Sequence, residues 1–297
     1  METVGFIGLG IMGLPMCRNL LRAGYAAIVH DVVPAAVAAA ASAGAVAAGS
    51  SSAVAARCDT VITMLPNSPH VRAALLGPDG VLAGARPGAL VIDMSSIDPT
   101  VSREVGAALA GAGLRFLDAP VSGGEPKAID GTLAIMVGGA ATDFAEALPL
   151  LRCMGGTIVH CGDMGAGNVA KLANQIIVGL NLAAVAEALA LVTRAGVDPA
   201  TVVEAIRDGA AGSAILEAKA GQMLADDTRP GFRVDLHHKD LANALAAGRA
   251  LGAPLPLTAQ VLELLQAARA AGLGDADHSA IARVYAQLAG ARLRSED

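Results

Sequence analysis

A chain of 297 residues with 54% hydrophobic content can bury one large core or two ordinary ones, and its length favours two domains. Aromatic residues are only 2% and tryptophan is absent, so the core must rely on small aliphatic side chains. A net charge of −6 with scattered lysine and arginine gives no basic stripe or stacking platform, which argues against nucleic acid as a partner.

Up to about His160, short β-branched runs alternate with alanine-rich helical segments. The predicted strands are Val4–Ile7, Ala27–His30, Thr60–Leu65, Ala89–Asp93, Arg115–Leu117, Leu133–Val137 and Thr157–His160. This alternation predicts an α/β domain, a doubly wound and largely parallel sheet of the Rossmann type with helices on both faces. Ser68-Pro69 and Asp98-Pro99 each read as an N-cap followed by proline at the first helical position.

Directly after the first strand, Gly8-Leu9-Gly10-Ile11-Met12-Gly13 fits G-x-G-x-x-G and opens the next helix. In that context glycines permit a tight turn and close backbone approach, and the helix N-terminus faces a pyrophosphate. Asp31 ends the second strand eighteen residues past Gly13, where a carboxylate would bind ribose hydroxyls and repel a 2′-phosphate. No arginine follows closely, so NAD (as NADH) is the expected cofactor and NADP the second choice. Leu65, Pro66, Ser95 and Ser96 lie just beyond the carboxyl ends of two later strands, as candidates for ribose and nicotinamide contacts or as capping turns. Farther on, Ser122-Gly123-Gly124 sets a hydroxyl beside consecutive glycine N–H groups, a nest suited to a carboxylate.

After the glycine-rich turn at 162–167 the strand signal vanishes. The expected domains are 1–163, binding the dinucleotide, and 164–297, all-α, with a long helix at the seam between them. Further helical periods start at Asp198-Pro199 and roughly at Ser213, Asp235, Pro256 and Asp277. Lys171 is the only charged side chain between Asp163 and Glu187, and Asn174 and Gln175 share its helical face at i+3 and i+4. Burial disfavours an ammonium and moves a lysine toward the range in which a proton donor works at cellular pH; a lysine snorkelling to solvent is the alternative. The same run is long enough to raise the question of a membrane span, but Asn168, Lys171, Asn174, Gln175 and Asn181 would meet hydrocarbon, so a core helix is expected. The opening METVGFIGLGIMG has too many glycines and too little early positive charge for a signal peptide, giving a cytoplasmic expectation. Cys17, Cys58, Cys153 and Cys161 show no metal spacing and read as reduced, buried and inert, with no metal expected.

GFIGLGIMG, DAPVSGG, GAGNVAKLANQ and HHKDLANAL occur in the order and at the spacing of the β-hydroxyacid dehydrogenase family, which the chain resembles over essentially its whole length. The stretches GGEPKAIDGTLAIMVGG, PGFRVDLHHKDLANAL and DHSAIA look like the family's branch that reduces tartronate semialdehyde. The resemblance implies that Lys171 is the catalytic acid/base and that Ser122, Gly123 and Gly124 hold a substrate carboxylate. It further implies that Phe232 lines the pocket and that Lys239 closes over cofactor and substrate. Many members carry asparagine four residues after the lysine, whereas this chain has Asn174 followed by Gln175, and either amide could be the substrate contact. The expected ligand is a small carboxylate-bearing aldehyde or hydroxy acid. The apolar α-domain suggests a homodimer or homotetramer.

Overall fold

The computed structural model describes residues 2–291, and the chain divides after Lys171 into two compact units. The first unit holds nine strands: β1 (Thr3–Ile7), β2 (Ala26–His30), β3 (Val46–Ala47), β4 (Thr60–Thr63), β5 (Leu90–Asp93), β6 (Arg115–Asp118), β7 (Val121–Ser122), β8 (Leu133–Gly138) and β9 (Gly155–Gly162). Between them run α1 (Gly13–Arg22), α2 (Pro34–Ala41), α3 (Ser51–Ala55), α4 (Ser68–Leu76), α5 (Val81–Gly84), α6 (Pro99–Gly111), α7 (Gly124–Asp130) and α8 (Ala141–Leu151). Strands β3-β2-β1-β4-β5-β6 are parallel in that order, the doubly wound arrangement expected from the sequence. Beyond β6 the sheet turns mixed: β8 is antiparallel to both β6 and β7 and parallel to β9.

Period-two alternation splits the core in two. Phe6, Val29, Ile62, Ile92 and Leu117 stand in register and bury one face with Met16 and Leu20 of α1. The other face takes Ile28, Val61, Val91 and Phe116 with Val105 and Leu109 of α6. Gly5, in register between Ile28 and Val61, makes room there: a Cβ would stand 2.5 Å from a methyl of Val54 on α3.

The second unit is helical. It takes up α9 (Ala166–Arg194) beyond Lys171 and continues with α10 (Pro199–Ile206), α11 (Ala214–Leu224), α12 (Val234–Leu251), α13 (Pro256–Ala270) and α14 (Ile281–Ala289). Its core joins Leu182, Ala186 and Leu189 of α9 to Met223, Leu241, Val261, Leu265 and Ile281. Among the described residues α9 is the one helix long and apolar enough to cross a membrane by length and composition. Three of its polar side chains, Asn168, Lys171 and Gln175, are buried in the fold instead.

Asp98 and Asp198 cap α6 and α10 as expected, each accepting from backbone N–H groups in the first turn. Ser68 does not cap α4: Asn67 accepts from the N–H of Ser68, which leaves Ser68 as the first helical residue and Pro69 as the second. The helix expected at Asp235 starts one residue earlier, after Arg233. Cys17 and Cys58 are buried, and burial pushes their thiols up to about 12 and about 11. Cys161 is exposed, contrary to expectation, because β9 leaves alternate residues facing solvent.

Candidate active site

In the first unit the candidate groups collect at the carboxyl ends of the strands. Each glycine of the first turn has its own constraint. Gly8 takes φ +94°, and a Cβ there would overlap the carbonyl of Met64. A Cβ on Gly13 would overlap the carbonyl of Gly8, so the third glycine lets α1 start against β1. A Cβ on Gly10 would meet nothing within 4 Å, so its bare Cα serves no packing need of the protein. What an open Cα does allow is close approach of a ligand. Met12, at the N-cap of α1, makes no side-chain cap; the N–H of Leu14 goes to the carbonyl of Gly10 and Pro15 has none, so the N–H of Gly13 is what this helix end offers an anion, and Ile11 beside it is exposed. The loop therefore fits the pyrophosphate of a dinucleotide.

Asp31 closes the same loop. Its Oδ2 accepts from the N–H of Leu9 at 2.6 Å and its Oδ1 from that of Val33 at 2.8 Å. A carboxylate has about four lone-pair sites, so two remain for a ribose diol. Below the next loops, Asp93 is wholly buried at the end of β5 and accepts from the hydroxyls of Thr63 at 2.7 Å and Ser95 at 2.5 Å. The Ser95 oxygen in turn accepts from the N–H of Leu65 at 2.8 Å, so Ser95 is buried and ties the loop after β4 to the loop after β5. Pro66 is exposed and Ser96 half-buried on those two loops. Burial pushes Asp93 up to about 6 against the pull of its hydroxyl donors.

Ser122 ends β7, half-buried, and Gly123 and Gly124 follow at φ +137° and +67°, a conformation that L side chains rarely adopt. Gly123 is the N-cap of α7 and supplies no side chain to it. Asp118, at the end of β6, is buried and accepts from the N–H groups of Gly165 and Asn168, both at 2.7 Å. Burial pushes its carboxyl up to about 6, opposed by those two donors. Asn168 in turn accepts from the N–H of Ile97 at 3.0 Å and donates to the Ser102 hydroxyl at 3.1 Å. Lys171 follows one turn later and is buried.

In the second unit, Gln175 is buried and both ends of its amide are engaged. Its Nε2 donates to Asp240 Oδ2 at 2.5 Å, and its Oε1 accepts from Asn174 Nδ2 at 2.8 Å. The other oxygen of Asp240 stands 3.1 Å from Nζ of Lys239. A chain Asn174–Gln175–Asp240–Lys239 results, and Asn174 is its half-buried end. His237 and His278 share a hydrogen bond between their Nδ1 atoms at 2.9 Å, with Phe232 edge-on to both rings. Burial, then the charge of His237, pushes His278 down to about 3. The loop carrying Phe232 is fixed by Asp277, which accepts from the N–H groups of Gly231 and Phe232 at 2.9 Å and pairs with Lys219.

The first unit thus sets the glycine turn, Asp31 and the loops after β4, β5 and β7 at the carboxyl ends of its strands, with Lys171 one turn beyond Asn168; the second links Asn174, Gln175 and Lys239 through Asp240, while Phe232 packs on His237 and His278. Sequence reasoning passed over Asp93, Asp118, Asn168 and Asp240. The signal available was position: two strand-terminal acids, an amide three residues before Lys171 and an acid beside Lys239.

Residues 3–162 match the family described as the NAD binding domain of 6-phosphogluconate dehydrogenase, and residues 165–285 match NAD-binding of NADP-dependent 3-hydroxyisobutyrate dehydrogenase. The chain is 41% identical to 2-(hydroxymethyl)glutarate dehydrogenase of Eubacterium barkeri over 97% of its own length and 96% of that protein's. It is also 41% identical to 2-hydroxy-3-oxopropionate reductase of Escherichia coli, over 98% and 99% of the two chains. Among solved structures, Mycobacterium tuberculosis 3-hydroxyisobutyrate dehydrogenase with L-serine superposes with a TM-score of 0.89 at 37% identity, covering 96% of this chain and 99% of that one.

Proposed function

Because the chain belongs to the β-hydroxyacid dehydrogenase family, NAD(P)-dependent oxidoreductases acting on the CH–OH groups of small hydroxy acids, we propose that it reduces tartronate semialdehyde to glycerate with NADH. The observation that carries the mechanism is Lys171, a lysine buried in a largely apolar helix one turn beyond the clamped Asn168. The dinucleotide supplies the hydride. The Lys171 ammonium gives a proton to the carbonyl oxygen as it becomes an alkoxide, so one hydride and one proton convert the aldehyde to an alcohol; oxidation reverses both transfers. The Ser122 hydroxyl and the N–H groups of Gly123 and Gly124 hold the substrate carboxylate and fix the aldehyde in reach.

Gln175 spends its amide on Asp240 and Asn174, so in this reading Asn174 is the amide that meets substrate. An amide suits the hydroxyl that tartronate semialdehyde carries, where a methyl would leave it unpaired. The Escherichia coli reductase is similar along nearly the whole chain, which supports the same substrate. Asp31 supports NADH over NADPH, and the family resemblance supports Lys239 as a cofactor contact and Phe232 as a substrate contact. Exposed Ile177 and Leu191 on α9, with Leu257 and Leu288, support a homodimer or homotetramer formed through the second unit. Oxidation of 3-hydroxyisobutyrate is the second reading, favoured by the likeness to the Mycobacterium tuberculosis enzyme.

A four-aldehyde panel with NADH tests the substrate. Tartronate semialdehyde should give the largest kcat/KM, with methylmalonate semialdehyde below it, succinic semialdehyde lower because its extra methylene misplaces the carbonyl, and propanal lowest because it leaves the nest unpaired. A larger kcat/KM for methylmalonate semialdehyde would move the assignment to 3-hydroxyisobutyrate with the mechanism intact.

A further inference from the structure

We propose that Asp118 is a positioning residue: its carboxylate clamps the first turn of α9 from outside the helix and thereby sets where Lys171 stands, a role that rests on Lys171 being the proton donor. An ordinary N-cap comes from the residue just before the helix and stabilises that helix wherever it lies. Here the acceptor is delivered from the end of β6, 47 and 50 residues earlier in the chain than the two N–H groups it binds. Such a cap ties the helix to one place on the sheet.

The surrounding residues have the same effect. A Cβ on Gly167 would overlap the carbonyl oxygens of Asp118 and Met136, and a Cβ on Gly138 would overlap the Asp118 carboxylate itself. Backbone packs on backbone at this point, so the first turn of α9 has no slack toward the sheet. Asn168 supplies the second tether, accepting from Ile97 and donating to Ser102, and it is wholly buried. Lys171 lies three residues on, on the same helical face, so a small shift of this turn is carried straight to its side chain. Asp118 is buried beneath the helix end and both its oxygens are occupied by backbone donors, so its contribution to the reaction runs through Lys171.

Asp118→Asn tests this. The amide keeps the shape but turns an N–H₂ toward one of the two N–H groups, opening one side of the clamp. Wild type, Asp118→Asn, Ser102→Ala and Lys171→Ala are compared for kcat, KM, NADH affinity and the primary isotope effect with NADH deuterated at the transferred position. A displaced proton donor slows the chemical step: in Asp118→Asn, kcat should fall by roughly 10- to 100-fold and the isotope effect should rise, while NADH affinity stays within about twofold. A loss of folded protein would lower kcat and leave the isotope effect unchanged, and that outcome, like an unchanged kcat, overturns the proposal. If Asp118→Asn does not fold, Ser102→Ala decides, since it loosens only the outer tether: a few-fold fall in kcat with a raised isotope effect supports the clamp, and wild-type values for both refute it. Lys171→Ala should lose at least ~10²-fold in turnover with NADH binding retained; wild-type turnover there would sink the role of Lys171 itself, separately from the clamp.

Discussion

Gly10 and Gly13 stand three residues apart in one turn, yet their substitution by alanine should fail in opposite ways. At Gly13 a methyl overlaps the Gly8 carbonyl and lies 3.2 Å from the Phe6 ring, so α1 must move off β1. Forcing extra volume into a packed site costs about 1–3 kcal/mol, so Gly13→Ala should lower the melting temperature by several degrees as well as weaken NADH binding. At Gly10 a methyl meets no protein atom, and the residue lies outside the positive-φ region, so alanine fits the free protein without strain. Its stability should stay within about 1 kcal/mol of wild type and could rise, since alanine restricts the unfolded chain. The same methyl fills the space through which a pyrophosphate reaches the backbone, and a 10- to 100-fold loss of NADH affinity is expected, roughly 1.4–2.8 kcal/mol. The chain has no tryptophan, so NADH titration by nicotinamide fluorescence has no indole emission to contend with, and thermal melts of the free proteins supply the second axis. Wild-type NADH affinity in Gly10→Ala would refute a pyrophosphate at this turn, and a large loss of stability in it would refute the open face.

Asn174→Ala should raise KM for the aldehyde by roughly tenfold with NADH affinity unchanged, whereas Gln175→Asn, one methylene short of Asp240, should give a smaller rise; steady-state kinetics would refute the assignment if the order were reversed. NADH should exceed NADPH in kcat/KM by at least about tenfold, because Asp31 faces a ribose diol favourably and a phosphate dianion unfavourably; a preference for NADPH would overturn this role of Asp31. Asp93 makes a prediction in pH. Its carboxyl stands at about 6 in the fold against an ordinary 3.8, so the fold disfavours its ionised form. Below the ordinary value both states hold the proton and nothing is lost; stability falls as pH rises through the window from 3.8 to about 6 and stays lower above it. The melting temperature of Asp93→Asn relative to wild type should therefore rise from pH 4 to pH 7, and a flat difference would exclude Asp93 as the titrating group.

The parallel sheet and its glycine turn were legible because they depend on local chemistry: β-branched runs, glycines where the backbone must turn, and acids just before helices. The three glycines looked alike in sequence, and only the fold separates the two that packing requires from the one it leaves open. Ser68 was misread as a cap because a serine before proline is a good cap in isolation, while Asn67 had the backbone conformation to take that place. The mixed edge at β7 and β8 escaped because two-residue Val121–Ser122 is too short to show a period, and it pairs only because β8 returns beside it. Asp93 and Asp118 were hidden for a different reason. They are in register on neighbouring strands and look like strand-terminal acids ready for a ligand, but besides the nearby Ser95 their partners, Thr63 for Asp93 and the N–H groups of Gly165 and Asn168 for Asp118, come from distant segments, which no local pattern reveals.

The pair Asn174-Gln175 shows how one methylene assigns roles that position alone leaves open. Both amides lie one helical turn past Lys171, and either could meet a substrate. Four residues after the lysine, the longer side chain reaches Asp240, and because a carboxylate only accepts, the Gln175 amide must turn its N–H₂ toward it and its oxygen toward Asn174. That orients Asn174 in turn, since one N–H of this half-buried amide is committed to Gln175. Asp240, holding Lys239 with its other oxygen, fixes the far end of the chain. An asparagine at the fourth position would end short of Asp240 and give up the hydrogen bond that the glutamine makes to that buried carboxylate. Under the proposed function, the glutamine therefore leaves the substrate contact to Asn174, one residue before it.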